Sequence, residues 1–385
     1  MPFNAVNHAV PVLSDQLTRF FAHTTREVQW RLLERLLLAH APSGGANLLG
    51  GIGDDIASLA DELGLRDRVI PYLGSTGNTA IWLGAEKPAD LVIVAHMDRA
   101  SFRVKSVEGG ILYPLCANRF PLGEYRVAAK AVRFERGRLV VCADGMLVSN
   151  RDGKQDTLHM DVKRGKLSWY DTVLMDVSPA CDGDTVIGTG LDNSLGVLIC
   201  LLAAAALRPL ETLLQSRGRR CLFVFTDQEE GPADGFFGYG ASRMAYVLPQ
   251  PTYGCVVVDT HTSGPKLDPV MGQGICLSAV SQWGRGSIVP PNYQALAADL
   301  MTGLNGVRPH TIQVNNSYHS RSDDMALGRW TRILALSGPP MVNPHTGQES
   351  ARLRDVESGV WWLSYFLIAA MNLAQTLVPR YALGR

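Results

Sequence analysis

No two of the seven cysteines are spaced as CxxC, and no GxSxG occurs in the 385 residues. The thiols, at 116, 142, 181, 200, 221, 255 and 276, are dispersed and odd in number. That excludes a zinc ribbon and a disulfide framework and fits reduced thiols in a cytoplasmic protein. The missing GxSxG removes the nucleophile elbow of serine hydrolases. A cysteine nucleophile is disfavoured because the thiols fall mainly in apolar runs such as LICLL and YGCVV, where burial makes them inert. Net charge is absent too: 36 Lys and Arg face 36 Asp and Glu, so no global field advertises nucleic acid or a membrane. The start, MPFNAVNHAVPVLSDQLTRFF, lacks a basic stretch before an apolar block and does not resemble a signal peptide. Two apolar runs, 195–207 and 360–373, fall short of the roughly 18–20 residues of a spanning helix and are expected as buried core helices.

What is present is enough apolar material, 46% of the chain, for a sizeable core in two domains. Helical spacing over 11–40 predicts one amphipathic entry helix, and Asp54-Asp55 suit the first turn of another reaching Leu63. The run 91–95 reads as a buried parallel strand. From Arg99 to about Asp184 helical periodicity fades. There VRFERGRLVVCA and DVKRGKLSWYD each predict two β-runs about an Arg-Gly turn. Then the α/β rhythm returns, with a helix over 193–214, strands over 220–225 and 254–258, and a final helix over 355–377. The expected class is α/β, a mostly parallel central sheet flanked by helices with an inserted all-β module. Residues 1–98 and 185–385 form the discontinuous main domain, and 99–184 form the insertion.

In such a sheet, ligands bind beyond the carboxyl ends of the strands. His96 and Asp98 follow the strand LVIVA. Bound to metal through one nitrogen, an imidazole needs its other nitrogen oriented, and Asp98 is near enough to do so. Taken alone, a hydrogen-bonded core histidine beside a surface aspartate explains HxD as simply. Asp192, after GTG and before a long apolar run, would equally serve as a helix cap. Glu229-Glu230, after CLFVF, is harder to assign to structure. One carboxylate can ligate metal while the other accepts a proton from water whose pKa the metal has lowered. Asp259 ends CVVVD, with His261 as a competitor, and a last ligand is sought from His345 in NPHTGQE or His319 in YHSRSDD. Mixed His and carboxylate donors suit zinc, and also cobalt or manganese.

These pieces resemble the dinuclear metallo-aminopeptidases of the TET-type and glutamyl- or deblocking-aminopeptidase family, within the co-catalytic zinc exopeptidase clan. The similarity rests on APSG (41–44), GNTAIWLG (77–84), VIVAHMD (92–98), GTGLDNSLG (188–196), VFTDQEEG (224–231), VVVDTH (256–261), SDD (322–324) and NPHTGQESARLRDVE (343–357), in the family's order. The resemblance implies two divalent ions per chain and removal of N-terminal residues from peptides by a metal-bridging hydroxide. Asp192 would bridge the ions, and His96, Asp259, Glu230 and His345 would complete the ligand set. Glu229 would be the general base and Asp98 the partner of His96. His345 is preferred over His319 because it sits in the family's His-x-x-x-Glu context. A homo-oligomer, from dimer to dodecamer, is implied through the inserted module. Two departures, Arg99-Ala100-Ser101 after HxD and Gly231-Pro232 after the glutamates, lie beside the cleft and bear on substrate choice. The rivals are a carboxypeptidase, dipeptidase or N-acyl-amino-acid deacylase of the same clan, or a metal-free scaffold on the same fold.

Overall fold

The computed structural model describes residues 2–116, 119–153, 156–231 and 238–383. Its centre is an eight-stranded sheet, in spatial order Val69–Ile70, Thr79–Gly84, Arg220–Thr226, Leu91–His96, Gly254–Val258, Ile333–Gly338, Ile275–Ser278 and Ile312–Val314. The four middle strands pair in parallel, while antiparallel pairings join them to the strands on either side. Every residue of Leu91–His96 is buried, as a strand covered on both faces must be. Helices Arg26–Leu38, Leu191–Leu207 and Leu353–Ala370 pack together in the main core with the sheet.

Six strands between Ser101 and Met175 close into a barrel with its own apolar interior, including Phe102, Leu112, Phe120, Leu147, Met160 and Val173. The first expected hairpin is there. Gly123–Glu135 and Arg138–Arg151 run antiparallel about Arg136-Gly137, both at positive φ. The second is not. Arg164-Gly165 ends the strand Asp156–Gly165 instead of turning it, and the next strand, Thr172–Met175, pairs with Ser101–Ser106 and Gly123–Glu135. A Cβ on Gly165 would stand 2.1 Å from the Cys142 carbonyl, so this glycine serves a close crossing between strands. Residues 180–182 belong with the main body: they edge a five-stranded sheet with Thr185–Gly188, the 340–352 hairpin and His261–Thr262, and Cys181 packs against the main core.

Several helix boundaries differ from the periodicity. The single entry helix expected over 11–40 is two, Leu13–His23 and Arg26–Leu38, and a further helix, Pro2–Ala9, precedes them. Thr24 and Thr25 interrupt the last two in non-helical conformations, where β-branched side chains fit better than in a helix interior, and Gln29 Nε2 donates to the Thr24 carbonyl at 2.9 Å. The final helix stops at Ala370, just before Asn372 turns at φ 58° in the left-handed conformation asparagine tolerates. The helix expected over 193–214 ends at Leu207, but Pro209 sits in the first turn of a short 3-10 segment, so the chain continues helically to Ser216. By length and composition the 26 residues Leu191–Ser216 could therefore cross a membrane, contrary to the sequence expectation; 78% of the apolar window is buried inside the protein.

Candidate metal centre

The sheet delivers three strand ends to one edge. Thr226 is in register with His96, and Val257 with Val94, so the chain leaves the sheet side by side at His96, at Asp227 and at Asp259. Asp192 comes from the mouth of Leu191–Leu207, where it and Asn193 depart from helical geometry. His345 comes from the loop between Pro340–Val342 and Glu349–Arg352. All meet in a cavity of about 530 Å³ open to solvent, lined also by Glu229, Glu230, Cys116, Arg119 and Arg321.

Asp192 stands between the two imidazoles. Its Oδ1 is 3.4 Å from His96 Nε2 and its Oδ2 is 3.3 Å from His345 Nε2. Asp259 Oδ1 is also 3.4 Å from His96 Nε2, and Glu230 Oε1 is 2.9 Å from His345 Nε2. Two clusters thus share one carboxylate: His96, Asp192 and Asp259 on one side, His345, Asp192 and Glu230 on the other. The first is compact enough to hold an ion. Glu229 lies against the first through Oε2, 3.8 Å from His96 Nε2.

Backbone contacts hold this arrangement. Asp98 does not orient His96 mainly through its carboxylate. His96 Nδ1 lies 3.1 Å from the Asp98 backbone carbonyl and 3.7 Å from Oδ1. The two carboxylate oxygens accept the amides of Glu229 and Glu230, each at 3.1 Å. Glu349 does the same for the opposite side, accepting from the Leu191 amide at 2.7 Å and from His345 N at 2.8 Å. His345 itself holds φ 62°, and Gln228, before the glutamates, φ 64°. Non-glycine residues in that region cost free energy and concentrate at functional sites.

The electrostatics are those of too much negative charge in too little water. Burial pushes Glu229 well above the usual carboxylate range; His96 opposes this, and Asp259 and Glu230 add to it. Burial alone would lower His96, yet Glu229 and Asp259 hold the imidazole well above its ordinary value. For Asp192, hydrogen bonds from His345 and His96 overcome burial and hold it well below the carboxylate range. Burial raises Glu349 to about 8. Such a cluster needs shared protons or a cation, and metal binding displaces protons. One atom favours the cation. Glu230 Oε1 is buried without a hydrogen bond, since His345 Nε2, though 2.9 Å away, lacks hydrogen-bond geometry. The mixed nitrogen and carboxylate donors fit divalent zinc, cobalt or manganese.

The two competing histidines stay outside. His261 is buried, stacked on Tyr318 with ring centroids 4.1 Å apart, and burial lowers it to about 3. His319 is half-buried beside Ser317 and does not line the cavity. Arg99, one departure from the family pattern, turns its buried guanidinium to the carbonyls of Leu36, Leu37 and Ala39, at the end of Arg26–Leu38. It does not line the cavity. Gly231 does, while Pro232 lies outside the described residues. Cys116 lies in the cavity wall, its Sγ 3.6 Å from His345 Nδ1. Burial raises its pKa, so it stands there as a thiol. Cys116, Arg119 and Arg321 carry no motif; only the fold brings them to the site. Glu349 was visible in sequence as the last residue of His-x-x-x-Glu, without a role.

Among solved structures, an aminopeptidase from the archaeon Desulfurococcus kamchatkensis is similar at 18% identity and TM-score 0.67, over 91% of this chain and 98% of that one. The TET1 peptidase of Pyrococcus horikoshii, which can assemble into a tetrahedron or a large octahedral shell, is similar at 18% and 0.65, over 88% and 98%. The fold is that of the TET peptidases. A Thermotoga maritima protein described as an endoglucanase shares it at 18% and 0.59, over 90% and 99%. No protein-family model matches the sequence, and no curated protein does.

Proposed function

We propose that this chain is a metal-dependent aminopeptidase that removes N-terminal residues from peptides. The observation that carries the reading is Asp192, whose two oxygens face two imidazoles in clusters that each add a further carboxylate. His96, Asp192 and Asp259 would hold one divalent ion and Asp192, Glu230 and His345 the other, zinc first and cobalt or manganese as alternatives. When bound, the ions lower the pKa of water toward neutrality and polarise the scissile carbonyl. Glu229, raised by burial, suits the base: it takes a proton from the attacking water and passes it to the leaving amine. Asp98 keeps Glu229 and Glu230 side by side by binding both their amides, and Glu349 fixes the backbones that carry Asp192 and His345.

The barrel belongs to the same reading as a module for assembly and access. Phe134, Trp169 and Tyr170 are exposed apolar side chains on it, the kind of surface that a partner copy covers. The Pyrococcus peptidase can assemble into a tetrahedron or a large octahedral shell, and light scattering on the purified chain tests for a homo-oligomer here.

The deciding experiment is Glu229→Gln with aminoacyl-anilides as substrates. Turnover should fall by roughly 10²–10⁴, with two metal ions per chain retained by elemental analysis. Undiminished turnover sinks the base assignment. Preference for N-acylated amino acids would transfer the chain to the deacylases, and hydrolysis of a β-glucan alone to the glycosidases. Fewer than one bound ion per chain, unrestored by added zinc or cobalt, would favour a scaffold.

A further inference from the structure

His345 offers its two nitrogens to two different surroundings. Nε2 faces carboxylates, 3.3 Å from Asp192 Oδ2 and 2.9 Å from Glu230 Oε1. Nδ1 faces Cys116, 3.6 Å from its Sγ. The partner that steadies the free nitrogen of a metal-bound histidine is ordinarily a carboxylate, a carbonyl or water. A thiol in that place is itself a metal donor.

The three side chains are close enough to act together. Cys116, Glu230 and His345 each bring one donor atom within 4.8 Å of the other two, whereas Asp192, among the described residues, completes a set this tight only with His96 and Asp259. Glu230 points to a ligand independently. It is 3% exposed, it lines the cavity, and its Oε1 has no hydrogen-bond partner among the described residues. Cys116 lines the same cavity, which opens to solvent.

The two sides of His345 exclude each other. A neutral imidazole carries its proton on one nitrogen and a free lone pair on the other, so it takes an ion through Nε2 or through Nδ1, not both. The donors beyond them differ in kind. Asp192 adds hard oxygen, which suits manganese as well as zinc. Cys116 adds soft sulfur, which favours thiophilic ions.

Given the reading above, in which Glu230 and His345 bind metal, we propose that Cys116, Glu230 and His345 Nδ1 form an alternative cage for a thiophilic ion. Filling it withdraws His345 from the side shared with Asp192 and switches the centre off. As the sulfur–metal bond forms, the thiol releases its proton to solvent.

The test loads the full-length chain with zinc and adds one equivalent of cadmium as the soft probe. Cadmium should release one zinc, leaving two ions per chain by elemental analysis, and X-ray absorption at the cadmium edge should show a sulfur neighbour. Cys116→Ser and Cys116→Ala should each remove the sulfur signal and weaken cadmium uptake by about tenfold or more, as loss of one supporting contact weakens a metal site. With an aminoacyl-anilide as substrate, cadmium should inhibit the unaltered chain at a concentration about tenfold below that needed for either variant. Cadmium left unbound or bound without sulfur, a sulfur signal that survives in both variants, three ions per chain, or equal inhibition of all three proteins overturns the cage. Two zinc ions per chain before cadmium is added leave the metal centre standing in every such case, and a chain that binds neither metal loses both readings. If no anilide is cleaved, the hydrolase reading fails while the sulfur signal still decides the cage.

Discussion

Asp192 faces both imidazoles, one with each oxygen, and its position predicts an asymmetry among the ligands. Removing it takes a donor from both clusters at once, whereas removing His345 strips only one. Asp192→Ala should therefore leave less than one metal ion per chain, and His345→Ala about one, measured by elemental analysis after gel filtration. Equal losses would separate the clusters from a shared-carboxylate centre. The candidate ligands were legible because strand-end carboxylates and imidazoles recur in an ordered series. Asp98 was legible as a neighbour of His96 but not in its actual contacts. A carboxylate that binds the amides of residues 131 and 132 positions away leaves no local pattern. Cys116 and Arg119 were invisible for the same reason, since nothing in 99–184 signals which loop of a barrel faces a distant sheet edge.

Among elements, the contact between Gly190 and Arg99 deserves a test. Gly190 holds φ 80°, and a Cβ there would lie 2.2 Å from Arg99 Nε. The buried guanidinium in turn satisfies the last carbonyls of Arg26–Leu38, groups that a helix end leaves without partners. Arg99→Met keeps the bulk and orphans those carbonyls, at a cost of about 1–3 kcal/mol; denaturant titration should show it. Gly190→Ala should be at least as harmful, because the arginine cannot retreat. Strands such as 254–258 were readable from their apolar runs, and the Arg136-Gly137 hairpin from its turn. Helix ends were less so. Amphipathic spacing continues across Thr24-Thr25 although the backbone does not, and Pro209 looks like a stop where it begins another turn.

For the whole molecule, the buried acids set a pH response. In the metal-free chain, burial lifts Asp323 and Asp355 to about 7 and Glu349 to about 8, and the neighbouring carboxylates hold His96 and His345 well above their ordinary values. Each group binds more protons folded than unfolded, so each contributes stability that is lost as pH rises through its folded pKa. His40, lowered to about 4, and His261, lowered to about 3, act oppositely, but only as pH falls below about 6.5. Between pH 6.5 and 8 the apo chain should therefore lose thermal stability, followed as Tm in a pH series. Divalent metal should raise Tm, by about 4 kcal/mol of stabilisation at a thousandfold excess over Kd, and by more at pH 8 than at 6.5. A flat apo profile would contradict it. The α/β class was legible from alternating strand and helix patterns. Closure of the barrel was not, because Ser101–Ser106 must find Thr172–Met175 some seventy residues on.

The cavity has two makers. Its floor is fixed by adjacent strand ends and by Asp98, which ties Glu229 to Glu230 so that neither moves without the other. Its wall at Cys116 and Arg119 belongs to the barrel, a body with a separate core. Evolution can therefore rewrite one without disturbing the other: sequence drift in the barrel loops would change what the cavity admits while the candidate ligand clusters are inherited unaltered.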